Sequence, residues 1–185
     1  MKAVLDACVL FPTVLRQMLT GVAARGLFTP LWSDRILEEW ARATRKLGPG
    51  AEIVARGEIA ALRAAFPRAS QAPAPGVEQR LTLPDPNDAH VLAVAIAAGA
   101  DAIVTFNRAD FPRHLLVAED IARRDPDGFL WELWSHHPET VAAVVGEVRA
   151  TAERLSGQPQ PQRALLKRAK LPRLAKALDA PPPSS

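Results

Sequence analysis

Residues 85–106 read DPNDAHVLAVAIAAGADAIVTF, and this stretch predicts a helix followed at once by a buried strand. Asp85 or Asn87 can cap the start of the helix, most of the residues that follow are apolar, and Gly99 can end it. Residues 101–106 (DAIVTF) then form a short apolar run that is typical of a covered strand. A helix joined to a strand by a short link is typical of a parallel sheet wrapped by helices, so the stretch predicts an α/β fold.

The rest of the chain continues this alternation. Its apolar patterns and breaking residues predict a strand at 2–5, a short strand or extended turn at 27–33, helices at 13–25, 34–47, 52–65, 126–134 and 138–155, and a basic helix at 163–179 interrupted by Pro172. Residues 67–80, rich in Pro, Ala and Gln, predict a connecting loop, and residues 115–124 can hold one more short strand. The order of these elements favours one sheet with helices between its strands.

Length and composition restrict the class of protein. The chain has 185 residues, enough for one domain with a core and an appendage. Its single cysteine, Cys8, excludes an internal disulfide framework and a cysteine-based zinc site, and it predicts a cytoplasmic location. Asp6 and Pro12 interrupt the apolar start, so no signal peptide is expected, and no segment has the roughly 18 uninterrupted apolar residues of a membrane span.

Charge is distributed unevenly along the chain. Residues 1–157 carry 17 Lys and Arg against 19 Asp and Glu, a net charge of −2, whereas residues 158–185 carry 6 against 1, a net charge of +5. The basic excess therefore lies in the tail. Such a tail is typical of a protein with a nucleic-acid or acidic-protein partner, and equally of a solvated charged helix.

Polar side chains follow the predicted strands where each strand ends. Asp6 ends the first strand, Asn107 and Asp110 follow the strand at 101–106, and Asp88 lies in the first turn of its helix. Ligands of open parallel sheets bind outside the carboxyl ends of the strands, so these residues are expected at one edge. Carboxylates gathered there repel one another unless a cation is bound, and oxygen ligands without His or Cys favour Mg²⁺ or Mn²⁺.

The segment ILEEW, from Ile36 to Trp40, offers another carboxylate. Its adjacent glutamates, Glu38 and Glu39, face different ways on a helix. The spacing of the neighbouring apolar residues places Glu39 slightly nearer the buried face, and by spacing alone the choice between the two stays open.

Three stretches stand in order on the predicted elements: VLDACVL at 4–10, WSDRILEEWAR at 32–42 and DPNDAHVLAVAIAAGADAIVTFNRADFP at 85–112. Together they resemble the three motif blocks of PIN-domain ribonucleases, and the opening and the TFN..DFP block resemble the VapC-type toxin branch. The resemblance covers about residues 1–135. It implies a three-layer α/β/α sandwich with a central parallel sheet. The composition of the residues that follow predicts a basic helical extension at 136–180 and a disordered tail at 181–185.

The resemblance also implies a catalytic site. By motif position it assigns metal-binding and catalytic roles to Asp6, Glu39 and Asp88, and the fourth position falls on Asn107, with Asp110 three residues later. Whether Asn107 or Asp110 supplies the fourth group is left open. In this chemistry Mg²⁺ or Mn²⁺ activates a water for attack on an RNA phosphodiester and offsets the charge of the transition state.

Two residues depart from the family pattern, and one of them is Gln17, which stands where an acid commonly follows the arginine at Arg16. The polar Asn that is common two positions after the first acid is replaced by Cys8, which we interpret as a small buried residue rather than a nucleophile. We interpret His90 as a polar residue on another face of its helix, and Asp85 as a helix-end residue.

The resemblance further implies the partners. These are an RNA substrate, a small cognate antitoxin that fills the groove of the site, and a second copy of the chain in a homodimer. Four arginines near the expected edge are candidates for phosphate contacts: Arg16, Arg42, Arg108 and Arg113. The alternative hypothesis is a non-catalytic PIN-like module with a binding or regulatory role.

Overall fold

A computed structural model describes residues 1–179, which contain a parallel sheet. Five strands build it: β1 (Lys2–Leu5), β2 (Thr29–Ser33), β3 (Ser70–Gln71), β4 (Ala102–Val104) and β5 (Ala122–Arg124). Their order across the sheet is β3-β2-β1-β4-β5, and every neighbouring pair is parallel. The middle strand, β1, has three buried residues out of four, because it is covered on both faces.

Helices connect the strands and follow the last of them. They are α1 (Ala7–Leu10), α2 (Thr13–Ala24), α3 (Asp34–Ala43), α4 (Ala51–Ala65), α5 (Pro75–Glu78), α6 (Ala89–Ala98), α7 (Arg113–Val117), α8 (Pro126–His136), α9 (Pro138–Ser156), α10 (Gln162–Arg168) and α11 (Pro172–Asp179). Short 3₁₀ helices occupy Thr44–Leu47 and Pro86–Asp88.

The strand order places helices on both faces of the sheet. The chain moves outward from β2 to β3 through α3 and α4, then returns through α6 to β4 on the other side of β1. Because parallel crossovers are right-handed, connections that run in opposite directions lie on opposite faces. The predicted α/β sandwich with a central parallel sheet and C-terminal helices is therefore confirmed.

The chain divides into two compact units. The first contains residues 1–11 and 28–124 and holds the whole sheet, with α6 packed across β2, β1 and β4. The second contains residues 12–27 and 125–179. It is helical: α2 and α8 pack on α9, and α11 packs on α8 and α10.

The domain limits expected from the sequence, 1–135 and 136–180, stay a prediction. The boundary at 135 falls within α8, whose bounds are Pro126–His136. The tail expected at 181–185, and residue 180 before it, lie outside the described residues.

Several local predictions agree with the structure. Ser33 caps α3 by accepting a hydrogen bond from the Ile36 amide at 3.3 Å, and Gly99 ends α6 in the left-handed conformation. Asp85 accepts from the amide of Asn87 at 2.9 Å and so caps the 3₁₀ turn before α6. Pro126 occupies the first turn of α8, as its fixed φ favours.

Other local predictions are wrong in part. The expected loop at 67–80 contains β3 and α5, because two residues that pair at the edge of a sheet leave no apolar alternation to detect. The helix expected at 34–47 ends as α3 at Ala43 and continues as a 3₁₀ turn. By contrast, the short strand expected within 115–124 is present as β5, after the end of α7.

Gly21 marks a close approach of two helices in the second unit. A Cβ atom at Gly21 of α2 would lie 2.7 Å from Cγ1 of Val144 on α9. We therefore expect Gly21→Ala to lower the free energy of unfolding by about 1–3 kcal/mol, measured by urea denaturation. Adding Val144→Ala should recover part of the loss that overpacking causes.

Gly146, on α9 itself, is the matched control for Gly21. A Cβ there meets nothing within 4 Å. Gly146→Ala should therefore raise the free energy of unfolding by about 0.5–1 kcal/mol through helix propensity. A Gly21→Ala variant as stable as Gly146→Ala would contradict the close packing of α2 on α9.

Among the helices of residues 1–179, none is both long enough and apolar enough to cross a membrane.

Candidate active site

The carboxyl ends of β1 and β4 bring two buried polar residues side by side. Leu5 pairs with Val104 in the parallel ladder, so Asp6 and Thr105 leave the sheet together. The Thr105 hydroxyl donates to Oδ2 of Asp6 at 2.6 Å, and the Asp6 amide donates to the Val104 carbonyl at 3.2 Å. Asp6 and Thr105 are only 6% and 1% exposed. The carboxylate is therefore fixed in place, and charge-assisted hydrogen bonds of this kind are strong.

Cys8 gives Asp6 a second donor. Its thiol donates to Oδ2 of Asp6 at 3.1 Å, and its sulfur accepts from the Phe106 amide at 3.3 Å. Burial, and next the charge of Asp6, raise the pKa of the Cys8 thiol to about 12. The thiol therefore stays protonated at neutral pH and supports Asp6 at the position where the family pattern has an Asn.

Asn107 ties the strand end to the helix that carries Asp88. Its amide N–H donates to the Thr105 hydroxyl at 2.9 Å, and its side-chain Nδ2 donates to Oδ2 of Asp88 at 2.9 Å. The side-chain oxygen of Asn107 accepts from the Asp110 amide at 3.4 Å. Asn107 thus holds Asp88 with its nitrogen and the Asp110 backbone with its oxygen.

Three carboxylates meet at the start of α6. Oxygen atoms of Asp85, Asp88 and Asp110 lie within 4.8 Å of one another. Burial raises the pKa of Asp88 to about 6, and the charges of four acids add to this: Asp6, Asp110, Asp85 and Glu39. Negative charge is therefore concentrated around Asp88, where a cation would relieve the repulsion. We call Asp85, Asp88 and Asp110 the acidic cluster.

Asp85 is the member that the sequence reasoning missed. It caps the turn before α6, as expected, and it also belongs to the acidic cluster. The feature of the sequence that could have indicated its role is the spacing of Asp85 and Asp88, two acids three residues apart at the start of a helix. That signal is weak, because the first residue of such a pair is already explained as a cap.

The two neighbouring glutamates of α3 have different environments. Oε1 of Glu39 lies 2.9 Å from Nε2 of His90 and 3.4 Å from Nε of Arg35. Glu38 instead receives hydrogen bonds from Arg42 at 2.7 Å and from Arg56 at 2.9 Å, which lower its pKa to about 2. Of the two, Glu39 is the one whose charge contributes to the raised pKa of Asp88.

His90 differs from its interpretation as an ordinary polar helix residue. Its side chain is 4% exposed, and its approach to Glu39 is close enough for an ion pair but does not meet hydrogen-bond geometry. Because α6 is apolar on nearly every face, its sequence does not indicate which way His90 points. In the structure, tertiary packing places His90 beside Glu39.

The four candidate phosphate-binding arginines are placed differently. Arg108 and Arg113 are exposed in the segment around Asp110. Arg42 is exposed but forms an ion pair with Glu38. Arg16 is buried in α2, at 4% exposure, so its side chain offers little surface to a phosphate.

The donor set of the acidic cluster suits a hard divalent cation. All its ligand atoms are carboxylate oxygens, which Mg²⁺ and Mn²⁺ prefer. The raised pKa of Asp88 follows from burial and from the neighbouring acids, and a bound cation would stabilise the charged form of this carboxyl.

Comparison with known proteins agrees with this arrangement. A family model described as PIN domain matches residues 2–109, more than half of the chain. The chain has no match among the curated proteins or among the solved structures that were compared.

Proposed function

The chain belongs to the PIN-domain family, and from this premise we propose that it is an endoribonuclease dependent on Mg²⁺ or Mn²⁺. The observation that carries the proposal is the acidic cluster at the carboxyl edge of the sheet, with Asp88 at its centre. In a family of nucleases, such a cluster supports metal-dependent hydrolysis of a phosphodiester.

The cation would be held by the acidic cluster of Asp85, Asp88 and Asp110. Asp6 and Glu39 are further acids whose charges help to raise the pKa of Asp88. A divalent ion bound there supplies Lewis-acid activation and offsets charge on the phosphate. Asp6 and Glu39 are the members of the motif-based set that lie outside the cluster itself. We propose that they bind at its border or orient its ligands.

The surrounding side chains would position the reactants. Thr105 and Cys8 hold Asp6, and Asn107 holds Asp88, so that these carboxylates are oriented before substrate arrives. Arg108 and Arg113 are exposed near Asp110 and would contact substrate phosphates. Single-stranded RNA is the favoured substrate, because its backbone and bases are accessible.

A cleavage assay with defined single-stranded RNA tests this proposal. We expect cleavage in Mn²⁺ or Mg²⁺, and we expect EDTA to stop it. The exposed Asp120, outside the acidic cluster, provides an Asp120→Asn control that should cleave like the wild type. A chain that cleaves no RNA and binds no Mn²⁺ in calorimetry would instead favour a non-catalytic PIN-like module.

The neighbouring glutamates provide a matched pair of variants. We expect Glu39→Gln to lower kcat/KM for RNA cleavage about 10-fold or more. Mutation of a side chain that supports a metal site typically lowers metal affinity or activity by about 10–100-fold. Glu38→Gln should stay within about 2-fold, because the Glu38 carboxylate is engaged by Arg42 and Arg56. Equal losses in the two variants would contradict the placement of Glu39 at the site.

We propose further that the chain is the toxin of a VapBC-type pair, acting in the cytoplasm as a homodimer and held inactive by a small antitoxin. The DACVL opening and the TFN..DFP block support this finer assignment. Induced expression in a bacterial host should arrest growth, and co-expression of a small protein encoded beside it should restore growth. Growth arrest by an Asp88→Asn chain would contradict a toxic activity that depends on cleavage.

A further inference from the structure

The basic C-terminal segment packs its apolar side inward. In α10 and α11, Leu165, Leu166 and Leu174 are at most 4% exposed, and Leu171 between the helices is fully buried. Asp127 of α8 accepts hydrogen bonds from the Arg173 and Leu174 amides at 2.8 and 3.0 Å and so caps α11. These contacts fix the orientation of both helices within the second unit, and their basic side chains are left facing solvent.

Five exposed cations lie within ten residues at the junction of these helices. They are Lys167, Arg168, Lys170, Arg173 and Lys176, and together we call them the basic surface.

Four of the five cations lack a carboxylate partner among residues 1–179. Arg168 donates to the neutral side-chain oxygen of Gln160, and within the described part of the chain no polar partner is present for Lys167 or Lys176. The fourth, Arg173, contacts an aromatic ring. The nearby acids are otherwise engaged: Asp127 caps α11, and Asp179 pairs with Arg163.

Arginines elsewhere behave differently. Arg25, Arg45, Arg56, Arg63, Arg80 and Arg149 each form an ion pair with a glutamate or aspartate. Within residues 1–179, the positive charges of Lys167, Arg168, Arg173 and Lys176 therefore have no local carboxylate to neutralise them, in contrast to those of most surface arginines.

An aromatic residue adjoins this charge. The guanidinium carbon of Arg173 lies 3.5 Å from the ring centroid of Trp131, which is half-buried on α8. The stack fixes the planar guanidinium in one orientation. Cations next to aromatic side chains are the combination that binds single-stranded nucleic acids.

Lys170 adopts a backbone conformation that favours glycine. It follows α10 with a φ of 62°, and its amide donates to the Lys167 carbonyl at 3.0 Å. This is the left-handed residue that ends many helices, where glycine avoids the steric cost of a side chain. A lysine rather than a glycine occupies this position, although the conformation is unfavourable for it, and its side chain is exposed.

We propose that the basic surface binds the phosphate backbone of single-stranded RNA, as a binding surface additional to the acidic cluster. An acidic protein is the less favoured partner, because protein interfaces have an apolar core and no large exposed hydrophobic residue lies in α10 or α11. The inference rests on the proposed function for its choice of RNA, but it concerns binding and requires none of the site acids.

Fluorescence anisotropy with a labelled single-stranded RNA, in EDTA and over a range of salt concentrations, tests the inference on the full chain. We expect Lys167→Gln, Arg168→Gln, Arg173→Gln and Lys176→Gln combined to weaken binding at low salt at least about 10-fold. Since each phosphate contact on a single strand contributes roughly 0.7 to the slope of log K against log salt, that slope should fall in magnitude by roughly 2–3.

The control removes the same number of charges from arginines that have acid partners. It combines Arg45→Gln, Arg63→Gln, Arg80→Gln and Arg149→Gln. This control variant should bind RNA within about 2-fold of the wild-type affinity. If its affinity falls as much as that of the first variant, the weaker binding is explained by net charge alone and the inference is wrong.

Lys170→Gly separates binding from stability. The variant relieves the backbone strain and removes one charge, so it should melt at a higher temperature yet bind RNA about 2-fold or more weakly. Thermal melting followed by circular dichroism checks the first effect. A variant with unchanged affinity for RNA would count against a role for this lysine in binding.

The outcomes distinguish this inference from the proposed function. A wild type that binds RNA through these cations but never cleaves it overturns only the nuclease. A wild type that cleaves RNA while the four-residue variant binds as tightly overturns only the basic surface. If that variant keeps its affinity for RNA and loses affinity for polyglutamate, the partner is an acidic protein and the inference is wrong.

Discussion

Asp88→Asn is expected to lower Mn²⁺-dependent RNA cleavage by at least about 100-fold, equivalent to about 3 kcal/mol of transition-state stabilisation. Asp88 is the member of the acidic cluster whose pKa is raised by the charges of the neighbouring acids. Its Oδ2 accepts a hydrogen bond from Nδ2 of Asn107 at 2.9 Å. Asparagine keeps the shape of the side chain but removes the charge that would bind a cation. Isothermal titration should show weaker Mn²⁺ binding, with Asp120→Asn as the unaffected control.

The same substitution is expected to stabilise the metal-free protein at neutral pH. The pKa of Asp88 is raised from 3.8 to about 6 in the folded state, so ionisation of this carboxyl costs more there than in the unfolded chain. The wild type therefore loses stability as the pH rises from about 4 to 6, and the loss persists above 6. The side chain is partly exposed, so we expect only about 1 kcal/mol.

Urea denaturation in EDTA between pH 4 and pH 8 measures this difference. Asp88→Asn should be more stable than the wild type at pH 7–8, and the two curves should converge near pH 4. If the variant is less stable at pH 8, or if it cleaves RNA normally, the central place of Asp88 in the site is wrong.

Thr105→Val is expected to have the second-largest effect, on stability and cleavage together. The buried Thr105 hydroxyl donates to Asp6 at 2.6 Å and accepts from the Asn107 amide at 2.9 Å. Valine keeps the volume but leaves both partners with one hydrogen bond fewer. Hydrogen bonds to charged groups are worth about 1.5–3 kcal/mol, so we expect a loss of about 2–3 kcal/mol in the free energy of unfolding.

Cleavage by Thr105→Val should fall by about 10–100-fold, because Asp6 loses the group that orients it. Thr105→Ser is the matched control: it retains the hydroxyl and should stay within about 3-fold of the wild type in kcat/KM. Urea denaturation and cleavage rates of the two variants check the prediction. If valine and serine behave alike, the hydroxyl does not support Asp6.

The candidate site was partly visible in the sequence. Asp6, Asp88, Asn107 and Asp110 were expected at one edge because each follows a strand or starts a helix, and the structure joins them through hydrogen bonds, short distances or mutual charge effects. The choice between Glu38 and Glu39 was not visible. Both occupy α3, and the tertiary contacts of Glu39 with His90 and of Glu38 with Arg56 distinguish their surroundings.

The sequence alone determined the order of most strands and helices along the chain, though not β3 and α5, and it determined the type of sheet. Apolar runs, capping residues and chain-breaking glycines act over a few neighbouring residues, so they can be read locally, as with Ser33 before α3 and Gly99 after α6. Sequence alone also located the basic excess after residue 157.

Tertiary structure alone decided which side chains meet. The pairing of Leu5 with Val104 brings Asp6 to Thr105, which lies 99 residues away, and the packing of α6 buries His90 beside Glu39. Asp85 joined the acidic cluster in the same way, while serving as the cap that its position predicted. Such contacts depend on strand register and side-chain rotamers across distant segments, and local patterns of polarity carry no information about either.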